Sequence, residues 1–169
     1  AFLVKESKRE NTKLKNFSLA GNIAYIYSQI TIDDQTGFTT NPKRPLQGAS
    51  PFMFNVSAKY EKLIRRSTEV LIKDPMKMMF AITYSYSGKS LYAFGTQGVG
   101  DQYQFQNNTL NLVANVKLNN HWAFGVKGNN LTNNIFRIMQ EDRVNVGEWQ
   151  EVNTYRLGSN LSGSLTYSF

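Results

Sequence analysis

The 169-residue chain contains no cysteine and a single histidine. Disulfides and cysteine-ligated metal centres are therefore excluded, and one imidazole with no second cannot build a plausible zinc site. Acidic residues are few: 12 against 19 lysines and arginines, for a net charge of +7. The basic residues are spread along the chain with no recognisable nucleic-acid motif, so no nucleic-acid partner is expected. No stretch approaches the roughly 18–20 consecutive apolar residues of a membrane helix. That absence excludes helical spans only, because strands that cross a bilayer hide their apolar residues in alternation. Helical periodicity is weak throughout. Its one trace, residues 60–72, reads as a hairpin turn with short strand extensions. The chain opens on Ala1 without a signal-peptide pattern and is expected to be part of a longer product.

Alternation with period two is what the sequence has in abundance, and period two is the mark of a strand with two unlike faces. Back from the C-terminus, Phe169, Tyr167, Leu165, Gly163, Leu161, Ser159, Leu157 and Tyr155 form a mostly apolar series. The residues between them are small and mostly polar, apart from the long Arg156. Five further segments behave alike: residues 15–30, 52–62, 76–87, 109–118 and 122–131. The fifth is expected to resume through 135–139. The fold class predicted is all-β and antiparallel, with about six strands.

The connections alternate in length. Asn119-Asn120-His121 is a tight turn, whereas residues 31–50, 88–108 and 141–153 read as long polar loops. Short turns at one end and long loops at the other is the asymmetry of outer-membrane β-barrels. The connection at 61–75 is the misfit, long for a turn unless its strands extend into it. Aromatics fall in two groups on the apolar series. Phe17, Tyr60, Trp122, Tyr167 and Phe169 lie near one end, and Tyr25, Tyr27, Tyr84, Tyr86 and Tyr155 near the other. Two such belts are expected at the two interfaces of a bilayer. Six strands are too few to close a membrane barrel, the smallest of which have about eight. Open edges are not tolerated in hydrocarbon, so the remaining strands are expected elsewhere, most simply upstream.

Catalytic chemistry has little support, and no enzyme activity or cofactor is expected. His121 sits in a tight turn and reads as a surface residue. Asp33-Asp34 and Glu141-Asp142 read as solvated loop acids, and the glycine-rich run at 95–100 as a flexible outer loop, since it opens no helix. The polar faces offer Lys59, Glu61, Lys77, Asn115, Lys117, Lys127 and Arg137 as candidates to face a barrel lumen. Tyr103, Phe105, Arg143 and Trp149 are the outer-loop candidates for ligand contact. Leu165, Tyr167 and Phe169 are candidates for an outer-membrane assembly signal.

Three stretches, in order, resemble the C-terminal barrel region of TonB-dependent receptors, particularly those of Bacteroidetes type. Arg44-Pro-Leu-Gln-Gly-Ala-Ser-Pro-Phe-Met-Phe-Asn55 is similar to that family's R-x-L-Q-G-x-S-P lead-in to a strand. Gly128-Asn-Asn-Leu-Thr-Asn-Asn-Ile-Phe-Arg137 is similar to its x-N-L-[LTF]-[ND]-x-x-[YF] segment in the penultimate strand. Leu165-Thr-Tyr-Ser-Phe169 matches the outer-membrane assembly ending. The resemblance implies that residues 1–169 are the C-terminal segment of a transmembrane barrel of about 22 strands, plugged by an N-terminal globular domain. It implies import of a scarce nutrient (siderophore, oligosaccharide or peptide) across the bacterial outer membrane, with the C-terminus in the periplasm. The implied partners are the lipid bilayer, the other strands and plug, TonB, the outer-membrane assembly machinery and a surface lipoprotein lid. The alternatives are a barrel without transport activity, adhesin-like or structural, and a soluble β-sandwich binding module.

Overall fold

The computed structural model describes residues 16–33, 37–64, 76–143, 145 and 147–169. Among them there is no helix. The strands are β1 (Phe17–Tyr25), β2 (Ile30–Thr31), β3 (Lys43–Arg44), β4 (Phe52–Ile64), β5 (Met76–Ser87) and β6 (Ser90–Ala93). Then follow β7 (Gln102–Gln104), β8 (Asn107–Lys117), β9 (Trp122–Asn129), β10 (Ile135–Glu141), β11 (Trp149–Arg156) and β12 (Asn160–Tyr167). All pairings are antiparallel.

The six alternating segments pair in sequence order as one sheet, β1-β4-β5-β8-β9-β12. Their register brings like faces together. Leu19, Ala58, Ile82, Leu112, Gly128 and Leu161 stand in one cross-strand row. One residue along, Ser18, Lys59, Ala81, Val113, Lys127 and Ser162 form a row on the opposite face. A slip of one residue in any pair would exchange the faces, so the alternation fixes the register. The polar face is tied across strands by Asn55 Nδ2 donating to Asn22 Oδ1 and Thr83 Oγ1 to Ser57 Oγ.

Among the described residues, nothing covers the apolar face. Ile23 and Leu161 are about three-quarters exposed (74% and 75%). The only buried hydrophobic residues among those described are Leu91 and Ile138, and neither lies in this sheet. They belong to a second, four-stranded sheet ordered β11-β10-β7-β6. Its strands continue those of the first: β5 leads to β6, β7 to β8, β9 to β10 and β11 to β12. β5, β8, β9 and β12 are thus each interrupted where the six-stranded sheet ends and are continued in the second sheet.

The break explains the differences from the sequence reading. Residues 155–169 are not one strand: the chain kinks at Leu157–Ser159, where Gly158 takes φ +80°. The long loops are built, not free. Residues 88–108 contain the β6–β7 hairpin, and 141–153 contain the start of β11. Tyr155 accordingly leaves the belt assigned to it and stacks on Phe136 in the second sheet, centroids 4.8 Å apart. Most of the 61–75 connection lies outside the described residues, although β4 runs to Ile64 and pairs Ile64 with Met76.

Both internal family-like stretches sit at this level. In Asn129–Asn134, Asn130 and Asn133 adopt left-handed φ of 51° and 43°, which asparagine tolerates better than most residues. The kink is anchored on both sides. Asn130 N donates to Asn111 Oδ1, Leu131 N to Leu110 O, and Asn130 Nδ2 to Gly158 O. Asn130→Ala keeps the strained φ and loses the bond to Gly158. It should cost about 1–2 kcal/mol and speed proteolysis at 129–134. In the other stretch, Gly48 N donates to Leu91 O and Gln47 Nε2 to Tyr92 O. Arg44 lies 4.4 Å over the Phe94 ring. The lead-in to β4 is therefore clipped onto β6.

Candidate functional site

The second sheet brings together three of the four aromatic and basic loop candidates. Tyr103, on β7, and Phe105, just beyond it, project two residues apart and so share a face. Trp149 opens β11, and its ring meets theirs edge-on, 5.5 Å from Tyr103 and 5.3 Å from Phe105. The β10–β11 hairpin lies beside β7, which closes a sequence separation of more than forty residues.

Lys89, which the sequence reading passed over, completes the group. It occupies the two-residue break between β5 and β6 and is exposed. Its Nζ lies 4.4 Å from the Trp149 centroid, 4.9 Å from Tyr103 and 5.9 Å from Phe105. All three fall within the range of cation–π attraction. Beside it is an apolar-lined cavity of about 180 Å³ bounded by Tyr25, Ile26, Tyr27, Leu91 and Tyr103.

Tyr103 holds its phenolic proton above the usual tyrosine range. Burial penalises the phenolate first, and the carboxylates of Asp101 and Glu141 repel it further. A raised folded-state pKa means that this residue's contribution to stability is whole below the ordinary value of 10.0. The contribution is lost as pH rises through the folded value. A tyrosinate absorbance titration should show a late component that Tyr103→Phe removes.

Arg143 stands apart from this cluster. Its Nη1 donates to Asn41 Oδ1 (2.9 Å), and Asn41 Nδ2 donates to Asp101 Oδ2 (2.8 Å). Asp101 is 1% exposed and also accepts from Gly95 N at 2.7 Å. The two ends of the glycine-rich run, Gly95 and Gly100, are buried, while Gln97, Gly98 and Val99 between them form an exposed turn. A Cβ on Gly95 would collide with the Val99 carbonyl oxygen, and one on Gly100 with that of Glu141.

On the polar face of the wall, Glu61 lies 2.9 Å from Lys59 and 4.0 Å from Lys77. Lys77 stands directly opposite Lys117, and Lys127 shares a row with Lys59. Asn115 stands in the row of Glu61, opposite Met79. Four lysines and one glutamate therefore face the same way over four strands. Arg137 is not among them: it sits on β10, past the kink, in the second sheet.

At the far end of the wall, the terminal strand is held by an unforeseen device. His121 Nδ1 and Ser168 O are 2.8 Å apart, and Ser168 N donates to His121 O. Tyr167 packs on Trp122 at 4.7 Å and meets Phe169 edge-on at 5.2 Å. Leu165 pairs with Phe124, and Phe169 itself is fully exposed. Comparison with protein-family models, curated proteins and solved structures returned no significant match.

Proposed function

We propose that the chain is the C-terminal wall of a TonB-dependent receptor barrel in a bacterial outer membrane, importing a scarce nutrient. The observation that carries this reading is the unpartnered apolar face of the six-stranded sheet, opposite a face of amides, hydroxyls and lysines. A water-soluble sheet buries its apolar face against another layer, whereas a bilayer covers it with acyl chains. The wall strands run from 8 to 13 residues, against the about 9–11 that a tilted strand needs to cross the hydrocarbon. Trp122 and Tyr167 pair at one end of the apolar face and Tyr25 and Tyr86 lie towards the other, as interfacial rings do, whereas Phe17 and Tyr60 pair with each other in the row of Phe80, part-way along the strands and not at the end expected for them. The three family-like stretches add the receptor identity. Two of them form the clip and the kink at which wall passes into outer sheet, and the third is the terminal strand.

In this reading β1 and β12 are paired by further strands, the polar face looks into the lumen, and the second sheet rises above the outer leaflet. The Lys89 group then stands at the outer mouth. The test is the intact mass and N-terminal sequence of the native polypeptide ending in Leu-Thr-Tyr-Ser-Phe, extracted from outer membranes. A detergent-requiring chain several times longer, beginning with a globular domain, is expected. A native chain of 19.2 kDa that stays in solution without detergent would sink the proposal.

A further inference from the structure

We propose that Lys89 and the cavity beside it bind a small carboxylate bearing an apolar group of roughly benzene size. The inference names the cargo class of the receptor reading and rests on that reading for uptake, though not for binding.

The recess of about 180 Å³ is open to solvent at Tyr25 and Tyr27 and has room for such a group. Its lining includes Ile26, Pro45, Leu91 and Tyr103 with the hydroxyls of Ser28 and Ser90; Leu91 is only 1% exposed, and Tyr25 and Tyr27, at the aromatic end of the wall, form its open rim. Lys89 borders the same cavity, so a charge stands at the rim of an apolar space. That combination suits a ligand with one anionic and one apolar end.

The ammonium is already positioned. Three ring systems hold Nζ at 4.4–5.9 Å, which reduces the rotamer freedom that a lysine loses on binding. Ring faces attract the cation without accepting conventional hydrogen bonds, and its N–H groups still require acceptors. Among the described residues no carboxylate lies within 4.0 Å of Lys89. In the free protein water accepts from these N–H groups, since Lys89 is exposed, and a ligand oxyanion would take the place of that water. A quaternary ammonium ligand would first have to expel Lys89 from the rings. A phosphate is better matched by an arginine fork or several backbone N–H groups, whereas one lysine balances one carboxylate.

The experiment uses the native full-length polypeptide in detergent, with phenylacetate as probe and phenylacetamide as its uncharged counterpart, titrated by saturation-transfer NMR. Phenylacetate should bind saturably and about tenfold more tightly than the amide. Lys89→Met should abolish that preference, and Lys89→Arg should keep most of it. Because Lys89 is exposed, neither variant removes a buried contact. Absence of saturable phenylacetate binding, equal affinity for acid and amide, or a full acid preference in Lys89→Met would each overturn the proposal. Energised uptake by intact cells is read separately. If binding holds and uptake does not depend on energy, the receptor reading fails and the site stands.

Discussion

Ile82→Arg should destabilise the native assembly by about 2–4 kcal/mol, the cost of an arginine at the midplane of a barrel's lipid face. Ile82 lies near the middle of β5, in the row with Ala58 and Leu112, between the two aromatic ends of the proposed lipid-facing surface. It is 42% exposed within the chain, so nothing in the protein itself forbids a longer side chain there. The penalty arises only if hydrocarbon covers that face. Thr83→Arg, one residue along, points to the opposite face and should change stability by less than about 1 kcal/mol. Heat-resistance of the detergent-extracted barrel, or its urea midpoint in lipid vesicles, separates the two. Equal effects would remove the distinction between the faces on which the membrane reading depends.

Asp101→Ala should have the next largest effect, about 3 kcal/mol, localised to the second sheet. The carboxylate is 1% exposed and accepts two hydrogen bonds, from Gly95 N and Asn41 Nδ2. Bonds to a charged acceptor are worth about 1.5–3 kcal/mol each, and their removal leaves a buried N–H without a partner. Arg143 loses the support of Asn41 as well, because Asn41 spans between them. Hydrogen exchange should rise at residues 94–101 and in β10, whose Glu141 N donates to Asp101 O, and stay unchanged in β4 and β5. Exchange rising evenly through both sheets would show instead that the second sheet does not unfold independently of the wall.

The two-faced strands were legible in the sequence because alternation is a local signal. Each of the six segments carries it alone, and the observed register simply aligns them. The break between the sheets was not legible. Alternation continues past Gly158 into β11 and past Asn134 into β10, so one strand and two collinear strands look alike. The Asn130 cluster reads as a turn from its composition, but only the contacts with Asn111, Leu110 and Gly158 show that it joins two levels of one wall. Arg137 lies past that break, on β10, for the same reason.

Tyr103, Phe105 and Trp149 stood out in the sequence as loop aromatics, and the structure adds that their rings meet. Lys89 did not stand out, since an isolated lysine beside glycine resembles any solvated loop residue. Its position over Trp149 depends on two hairpins lying side by side. Asp101 was equally hidden: an acid in a glycine-rich segment reads as solvated, and its burial follows from how closely Gly95 and Gly100 let neighbouring carbonyls approach. His121 was read correctly as a turn residue, but its bond to Ser168 pairs partners 47 residues apart.

The central claim is that alternate residues of one strand face hydrocarbon and water. Because the segment contains no native cysteine, single cysteines at Ile82 and Thr83 can each carry a spin label in the native polypeptide in lipid vesicles. The account predicts that the label at 82 is relaxed strongly by oxygen and weakly by a water-soluble nickel chelate, and that the label at 83 shows the reverse. The same relaxation pattern at both positions, or nickel access at 82, would contradict it.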